Sequence, residues 1–187
     1  MMSISPETEE REIIRLCLDG DSEQYALLVD KYKAMAYNIA YRMLGDGDAA
    51  KDMSQESFIS AYASLDKFQY GSKFSSWLYR IVVNKCKDHL RAERDTVQVD
   101  EISDIVPSRE RTPEQTASSQ QTGDVVQKAL NSLPDEYREV IVLKHIEELD
   151  YREIADILGV SVNALKVRAH RGREMLKELL QEMGDRV

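Results

Sequence analysis

The chain has 187 residues, enough for one ordinary domain or two small ones, and 42% of them are hydrophobic, so a real core can form and global disorder is disfavoured. With only 8 Gly and 4 Pro, the many tight turns of a sandwich or barrel are hard to make, which argues against an all-β fold. The net charge of −9 is unevenly spread: residues 1–72 hold 7 basic and 13 acidic side chains, residues 73–94 hold 6 and 2, residues 95–124 hold 2 and 7, and residues 150–187 balance.

The longest purely apolar run, Val140 to Leu143, is far too short to span a membrane. The first residues carry Glu7, Glu9, Glu10 and Glu12, unlike a basic-then-apolar signal peptide. Cys17 and Cys86 make neither a disulfide framework nor a metal set. A cytoplasmic, all-α protein is expected, with no metal or cofactor.

In chain order, apolar residues recur at helical spacing from Tyr25 to Leu44, with Ser22 placed to cap the start and Gly45 the end. A second helix is predicted from about Asp48 to Leu65, with Phe58, Ala61, Tyr62 and Leu65 on one face. A third starts near Ser75 and runs to about Arg94, burying Phe74, Trp77, Leu78, Ile81 and Val82. These form one helical domain within residues 1–94. Residues 95–123 lack helical period, contain Pro107, Pro113 and a Ser/Thr/Gln-rich stretch, and are acidic, so they read as a flexible linker. Periodicity returns from Asp124, Pro134 opens another helix, and Asp150 with Glu153 has the form of a capping box. Residues 124–187 make the second small domain.

Residues 151–170 have the layout of a helix-turn-helix. Ile154 and Leu158 face inward, Ala155 is small where the helices cross, Gly159 supplies the turn, Ser161 caps the second helix and Leu165 packs back. At 100° per residue from Leu165, Ala169, Gly172 and Leu176 also point inward. Asn163, Val167, His170 and Glu174 point away with Arg171 beside them, and Lys166, Arg168 and Arg173 lie on the flanks. Hydrogen-bonding and apolar groups at the centre with cations at the edges suit a helix reading base edges in a major groove between two phosphate rims.

The third helix carries a second basic stripe, Arg80, Asn84, Lys87, Arg91 and Arg94, opposite Trp77 and Ile81, which could lie along a phosphate backbone. The loop before it, Phe68 to Lys73 with Tyr70 and Gly71, could hold an unstacked base, although Phe68 and Trp77 can equally complete a core. For Trp77 the core role is preferred. On the second helix, Asp52 and Glu56 are spaced i, i+4 with Gln55 adjacent, an acidic face with no core role that suits a basic partner surface. Cys86-x-x-His89 lies on one helix and reads as a packed thiol beside a histidine.

With both halves in view, the chain resembles a bacterial RNA polymerase sigma factor of the extracytoplasmic-function (ECF) group of the sigma-70 family, over about residues 20–94 and 124–180. Asp52-Met-Ser-Gln55-Glu56-Ser-Phe58 is similar to the motif that binds core polymerase. Phe74-Ser-Ser-Trp77-Leu-Tyr-Arg80-Ile, with Asn84 and Asp88-His-Leu-Arg91, is similar to the segment that melts and reads the −10 element. Leu133-Pro134-Asp-Glu-Tyr-Arg138-Glu-Val and the helix-turn-helix are similar to the domain that reads the −35 element. The resemblance implies core contacts at Asp52, Gln55, Glu56 and Phe58. It implies −10 contacts at Tyr70, Lys73, Arg80, Asn84, Lys87 and Arg91. It implies −35 contacts at Asn163, Lys166, Val167, Arg168, His170 and Arg171. It also implies core polymerase, promoter DNA and an anti-sigma factor as partners, and a linker that threads the polymerase's RNA channels.

Two other functional classes fit the sequence less well. A regulator with a similar C-terminal helix-turn-helix needs a phosphoryl- or ligand-receiving first domain, and residues 1–94 show no alternating strands and helices and no Gly-rich phosphate loop. An enzyme needs a nucleophile and base at workable spacing, and His89, His145 and His170 offer none. No small-molecule substrate and no membrane insertion are expected.

Overall fold

A computed structural model describes residues 6–69, 71–100 and 119–184, and all regular elements among them are helical. In chain order they are α1 (Pro6–Leu18), α2 (Tyr25–Leu44), α3 (Gly47–Ala63), α4 (Phe74–Asp100), α5 (Ser119–Asn131), α6 (Asp135–Ile141), α7 (Tyr151–Leu158) and α8 (Val162–Gly184). Short 3-10 turns precede α2 and follow α3, and α6 widens into a single π turn over Val142–Ile146.

The ends of the helices follow local chemistry. Gly45 closes α2 in the left-handed region at φ 72°, and its N–H donates to the Tyr41 carbonyl. Asp46 then caps α3 by accepting from the Ala49 N–H at 2.8 Å. Ser22 does not cap α2: it opens the 3-10 turn Ser22–Gln24, and α2 begins at Tyr25 with no side-chain cap. Helix α4 continues to Asp100 rather than stopping near Arg94, and α5 begins at Ser119, so helix intrudes on both ends of the expected linker. Neither intrusion carries the apolar period used to place the elements. Residues 101–118 lie outside the described residues.

Helices α2, α3 and α4 form a three-helix layer around Leu28, Ile39, Met43, Ala61, Phe74, Leu78 and Val82, all at most 1% exposed. Each large side chain buried there contributes about 1.5–3 kcal/mol. Phe68, Phe74 and Trp77 meet edge-on or tilted, with ring centroids 5.5–5.8 Å apart. Trp77 therefore completes a core cluster, and Phe68, 6% exposed, does the same. Helix α1 is tied on by Glu10, whose nearly buried carboxylate accepts from Lys31 Nζ and Tyr32 Oη, each at 2.5 Å.

The second set, α5 to α8, does not stand apart. Val140, Leu143, Ile154 and Leu165 belong to one hydrophobic cluster with the first set. The junction centres on Arg138, only 6% exposed. Its guanidinium donates to the carbonyls of Leu130 and Asn131 at 2.8 Å, of Leu133 at 2.9 Å and of Met43 at 2.5 Å. One side chain thus satisfies the orphan carbonyls at the C-terminal ends of both α5 and α2. Gln127, also buried, donates to the Arg42 carbonyl at 3.2 Å and accepts from the Arg42 side chain.

Candidate nucleic-acid and partner interfaces

On α3 the inward positions are Ala50, Ser54, Ser57, Phe58 and Ala61. That leaves Asp52, Gln55 and Glu56 exposed on the opposite face. Phe58, placed among the core-polymerase contacts by the family motif, is 7% exposed and lies on the inward face its helical phase gives, beneath the acidic face. Its neighbour Ile59 is 68% exposed, and Tyr62 is 42% exposed. Ile59 stands i+7, i+4 and i+3 from Asp52, Gln55 and Glu56, so it sits on their face. The sequence contains that spacing, but charge alone does not single out Ile59. Glu56 reaches Lys85 of α4 at 3.3 Å, an exposed pair of small energetic weight.

The residues expected at the −10 element fall into two groups. Asn84 and Arg91 are exposed, and Arg91 pairs with Asp88 of its own helix at 3.4 Å. Lys73, Arg80 and Lys87 are engaged by the second set of helices. Lys73 lies 3.4 Å from Glu153 and Lys87 lies 2.9 Å from Glu139, while the Arg80 guanidinium donates to the Asp156 carbonyl. Arg94 joins Asp135 at 2.6 Å, and the neighbouring Tyr79 hydroxyl donates to Glu147 at 2.8 Å. Between the Gly71 loop and the α7 turn lies an open cleft of about 780 Å³, bordered by Lys67, Lys73, Trp77 and Arg80 on one side and Glu153 and Asp156 on the other. Tyr70 lies outside the described residues.

The helix-turn-helix is built as its sequence pattern specifies. Asp150 accepts from the Arg152 and Glu153 N–H groups at 2.7 and 2.9 Å, which holds its carboxyl below the usual range, and Glu153 returns a contact to the Asp150 N–H. Gly159 turns the chain at φ 67°. Ser161 Oγ accepts from the Ala164 N–H at 3.2 Å. Leu165 and Ala169 are fully buried, and Gly172 lets α8 approach α6, since a Cβ there would lie 3.1 Å from Ile141. Asn163, Lys166, Val167, His170 and Arg171 are exposed on the outward face, Val167 at 52%. Arg168 is the exception: its guanidinium turns back to Glu136 at 3.3 Å and Glu139 at 3.7 Å. It lies only 60° from the inward direction of Leu165, near enough for that reach.

Cys86 is fully buried on α4, and burial pushes its thiol up to about 12, which makes it inert at neutral pH. His89 beside it faces Glu93 of the same helix at 3.5 Å. Among the described residues no cluster of three or more His, Cys, Asp or Glu side chains could hold a metal, and no helix is long and apolar enough to cross a membrane.

Two family models match this architecture: Sigma-70 region 2 over residues 28–96 and Sigma-70, region 4 over residues 124–176. The chain is 38% identical over 175 residues to the ECF RNA polymerase sigma factor SigW of Bacillus subtilis, covering 88% of this chain and 92% of that one. It is 30% identical over 189 residues to the ECF RNA polymerase sigma-E factor of Escherichia coli, covering 96% and 98%. Among solved structures it is similar to the sigma factor RpoE in complex with the anti-sigma factor NepR from Bartonella quintana, with TM-score 0.71 and 28% identity over 85% of this chain and 98% of that one. It is also similar to CnrH in complex with the cytosolic domain of CnrY, with TM-score 0.67 and 26% identity over 92% and 97%. A region 2 helical layer, a region 4 helix-turn-helix and relatives aligned along nearly their full length lead to one conclusion: the chain belongs to the ECF group of RNA polymerase sigma factors.

Proposed function

We propose that this sigma factor binds core RNA polymerase through the α3 face of Asp52, Gln55, Glu56 and Ile59. In this reading it melts and reads the −10 element with α4 and the loop before it, and reads the −35 element with the outward face of α8. The observation that carries this division is the separation of an exposed acidic and apolar face on α3 from the exposed cationic face of α8, which carries Lys166, His170 and Arg171. An acidic face repels DNA and suits a basic protein surface, whereas the α8 face has the composition of a groove reader. The protein acts by recognition rather than as an enzyme, and it works in the cytoplasm, where core polymerase is. Residues 1–94, 95–123 and 124–187 serve as the core-binding and −10 domain, the linker and the −35 domain. The acidic linker suits the basic channels that later hold RNA. The likeness to a sigma factor solved in complex with an anti-sigma factor supports control by a protein of that kind.

An order-of-addition run-off transcription assay tests the proposal. Purified chain and core polymerase are expected to initiate at a cognate promoter with no other sigma factor present. A requirement for another sigma factor would make the chain an accessory regulator and overturn it.

A further inference from the structure

Val167 is the large apolar side chain that α8 leaves in solvent. It is 52% exposed and lies in the first two turns of the helix, the part of a helix-turn-helix that meets base edges. Its direction is fixed by what α8 packs on. Leu165 and Ala169 are fully buried, Gly172 brings α8 against Ile141, and Arg168 is tied back to Glu136 and Glu139 of α6 at 3.3 and 3.7 Å. Val167 therefore points about 160° away from the direction of Leu165. Its neighbours one turn away on that face are Asn163, Ala164, His170 and Arg171, all exposed, with Lys166 beside it. A lone branched side chain among polar and cationic groups is not the apolar patch that a protein partner needs. It also suits an exposed helix poorly, because its branched Cβ restricts it to few rotamers there.

In the major groove the base pairs present hydrogen-bond donors and acceptors and a single kind of apolar group, the 5-methyl of thymine. A valine side chain has neither donor nor acceptor. Against any other edge it strips water from a nitrogen or oxygen and offers no partner in return, which costs affinity. Against thymine it buries methyl on methyl. We propose that Val167 reads a thymine of the −35 element by packing on its 5-methyl group, so that one position of that element is chosen by the methyl alone. This deepens the proposed function and rests on its assignment of α8 to the −35 element. Asn163, Lys166 and Arg171 then hold the helix in register on neighbouring base edges and phosphates.

The full-length chain with core polymerase tests this. The probe is a promoter duplex that this holoenzyme selects from a pool randomised over the −35 region. Each thymine of that region, on either strand, is replaced in turn by deoxyuridine, which deletes the methyl and nothing else. At one position the wild type is expected to bind about fourfold more weakly, the value of burying one methyl group. Val167→Ala, checked for folding by far-UV circular dichroism, is expected to bind the thymine and uracil duplexes equally at that position and to keep any other methyl dependence of the wild type. Selected sequences without a thymine overturn the proposal, as does a wild type with no methyl-dependent position. So does a methyl dependence that Val167→Ala leaves unchanged at every position. Initiation from the selected, unmodified promoter is scored separately. If it fails, the sigma-factor reading falls and this inference with it; if it succeeds and the methyl effect is missing, only the assignment of Val167 falls.

Discussion

Lys87 Nζ lies 2.9 Å from a carboxylate oxygen of Glu139, whose side chain is only 2% exposed, so a cation expected to meet DNA is joined to a buried acid on another helix set. Burial pushes the Glu139 carboxyl above its ordinary value, against the pull of Lys87 and Arg168 and with the help of Asp135. A raised acid holds its proton more tightly packed than exposed. Its ionised form therefore opposes packing at neutral pH, and that opposition fades as pH falls through the raised value. Glu139→Gln is expected to keep or raise stability at neutral pH, by no more than ~1 kcal/mol. Lys87→Ala leaves the buried carboxylate with Arg168 alone and is expected to cost about 1–2 kcal/mol, below the figure for a fully buried pair because Lys87 is 37% exposed. Thermal melts at neutral pH and near pH 5 check both, and a larger loss from Glu139→Gln than from Lys87→Ala would reverse the sign argued here.

Arg138 should be the most sensitive single position in the junction. Truncating it to Ala removes the donor that the buried carbonyls of Leu133 and Met43 have, while the Leu130 carbonyl keeps the Leu133 N–H at 3.1 Å, at an expected cost of about 3–5 kcal/mol. Arg138→Lys should recover little, because one ammonium cannot fork to the ends of two helices. Chemical denaturation of the three proteins measures this, and a fully stable lysine variant would show that charge, not the fork, matters.

Two glycines in the second set of helices fail in different ways. Gly159 has open space around it but sits at φ 67°, so Gly159→Ala should cost about 1 kcal/mol through the backbone, and Gly159→Asn less. Gly172 has ordinary backbone but a crowded Cβ direction, with Ile141 at 3.1 Å and Tyr137 at 3.3 Å. Gly172→Ala should cost about 1–3 kcal/mol by pushing α8 off α6. Denaturation midpoints separate the cases: Asn should rescue at 159 and should be worse than Ala at 172.

Much of this fold was legible because its signals are local. The capping box at Asp150, the turn at Gly159 and the inward row Leu165, Ala169 and Gly172 depend on neighbours within a turn or two of helix, and the structure reproduces them. Ser22 misled because a residue that can cap a helix also suits a 3-10 turn, and here it opens the turn Ser22–Gln24. Phe58 shows two signals at once: the motif includes it among the partner-facing residues, whereas the helical phase shared with Ala61 and Ser54 turns it inward, where the structure has it. The contacts of Lys73, Lys87 and Arg94 were invisible for a different reason. Their acids lie tens of residues away across the linker, and no periodicity in either segment encodes that they meet.

The α3 face gives a direct test of polymerase binding. Asp52 and Glu56 are exposed, so Asp52→Lys with Glu56→Lys should leave the fold intact, with a cost under ~1 kcal/mol from placing a lysine opposite Lys85. Core polymerase should no longer co-purify with that variant. Ile59→Ala should weaken the same association without affecting stability, since a side chain 68% exposed contributes little to the core. Wild-type recovery of polymerase by the double lysine variant would remove this face from the interface.

The two promoter elements should be separable by residue. Arg171 is exposed beside the outward centre of α8, where a guanidinium can reach a base edge or a phosphate. Arg171→Ala should weaken use of the −35 element, by roughly 1–3 kcal/mol if the contact is to a base. Asn84 is exposed midway along α4, in a different matched family region. Asn84→Ala should instead impair opening or reading of the −10 element. Initiation is compared on duplex and pre-melted templates that share one −35 sequence. Pre-melting should shrink an opening defect at Asn84 and leave the Arg171 defect in place, because strand separation cannot restore a contact to duplex DNA upstream. If pre-melting rescues both variants equally, or neither, the assignment of one element to each helix fails.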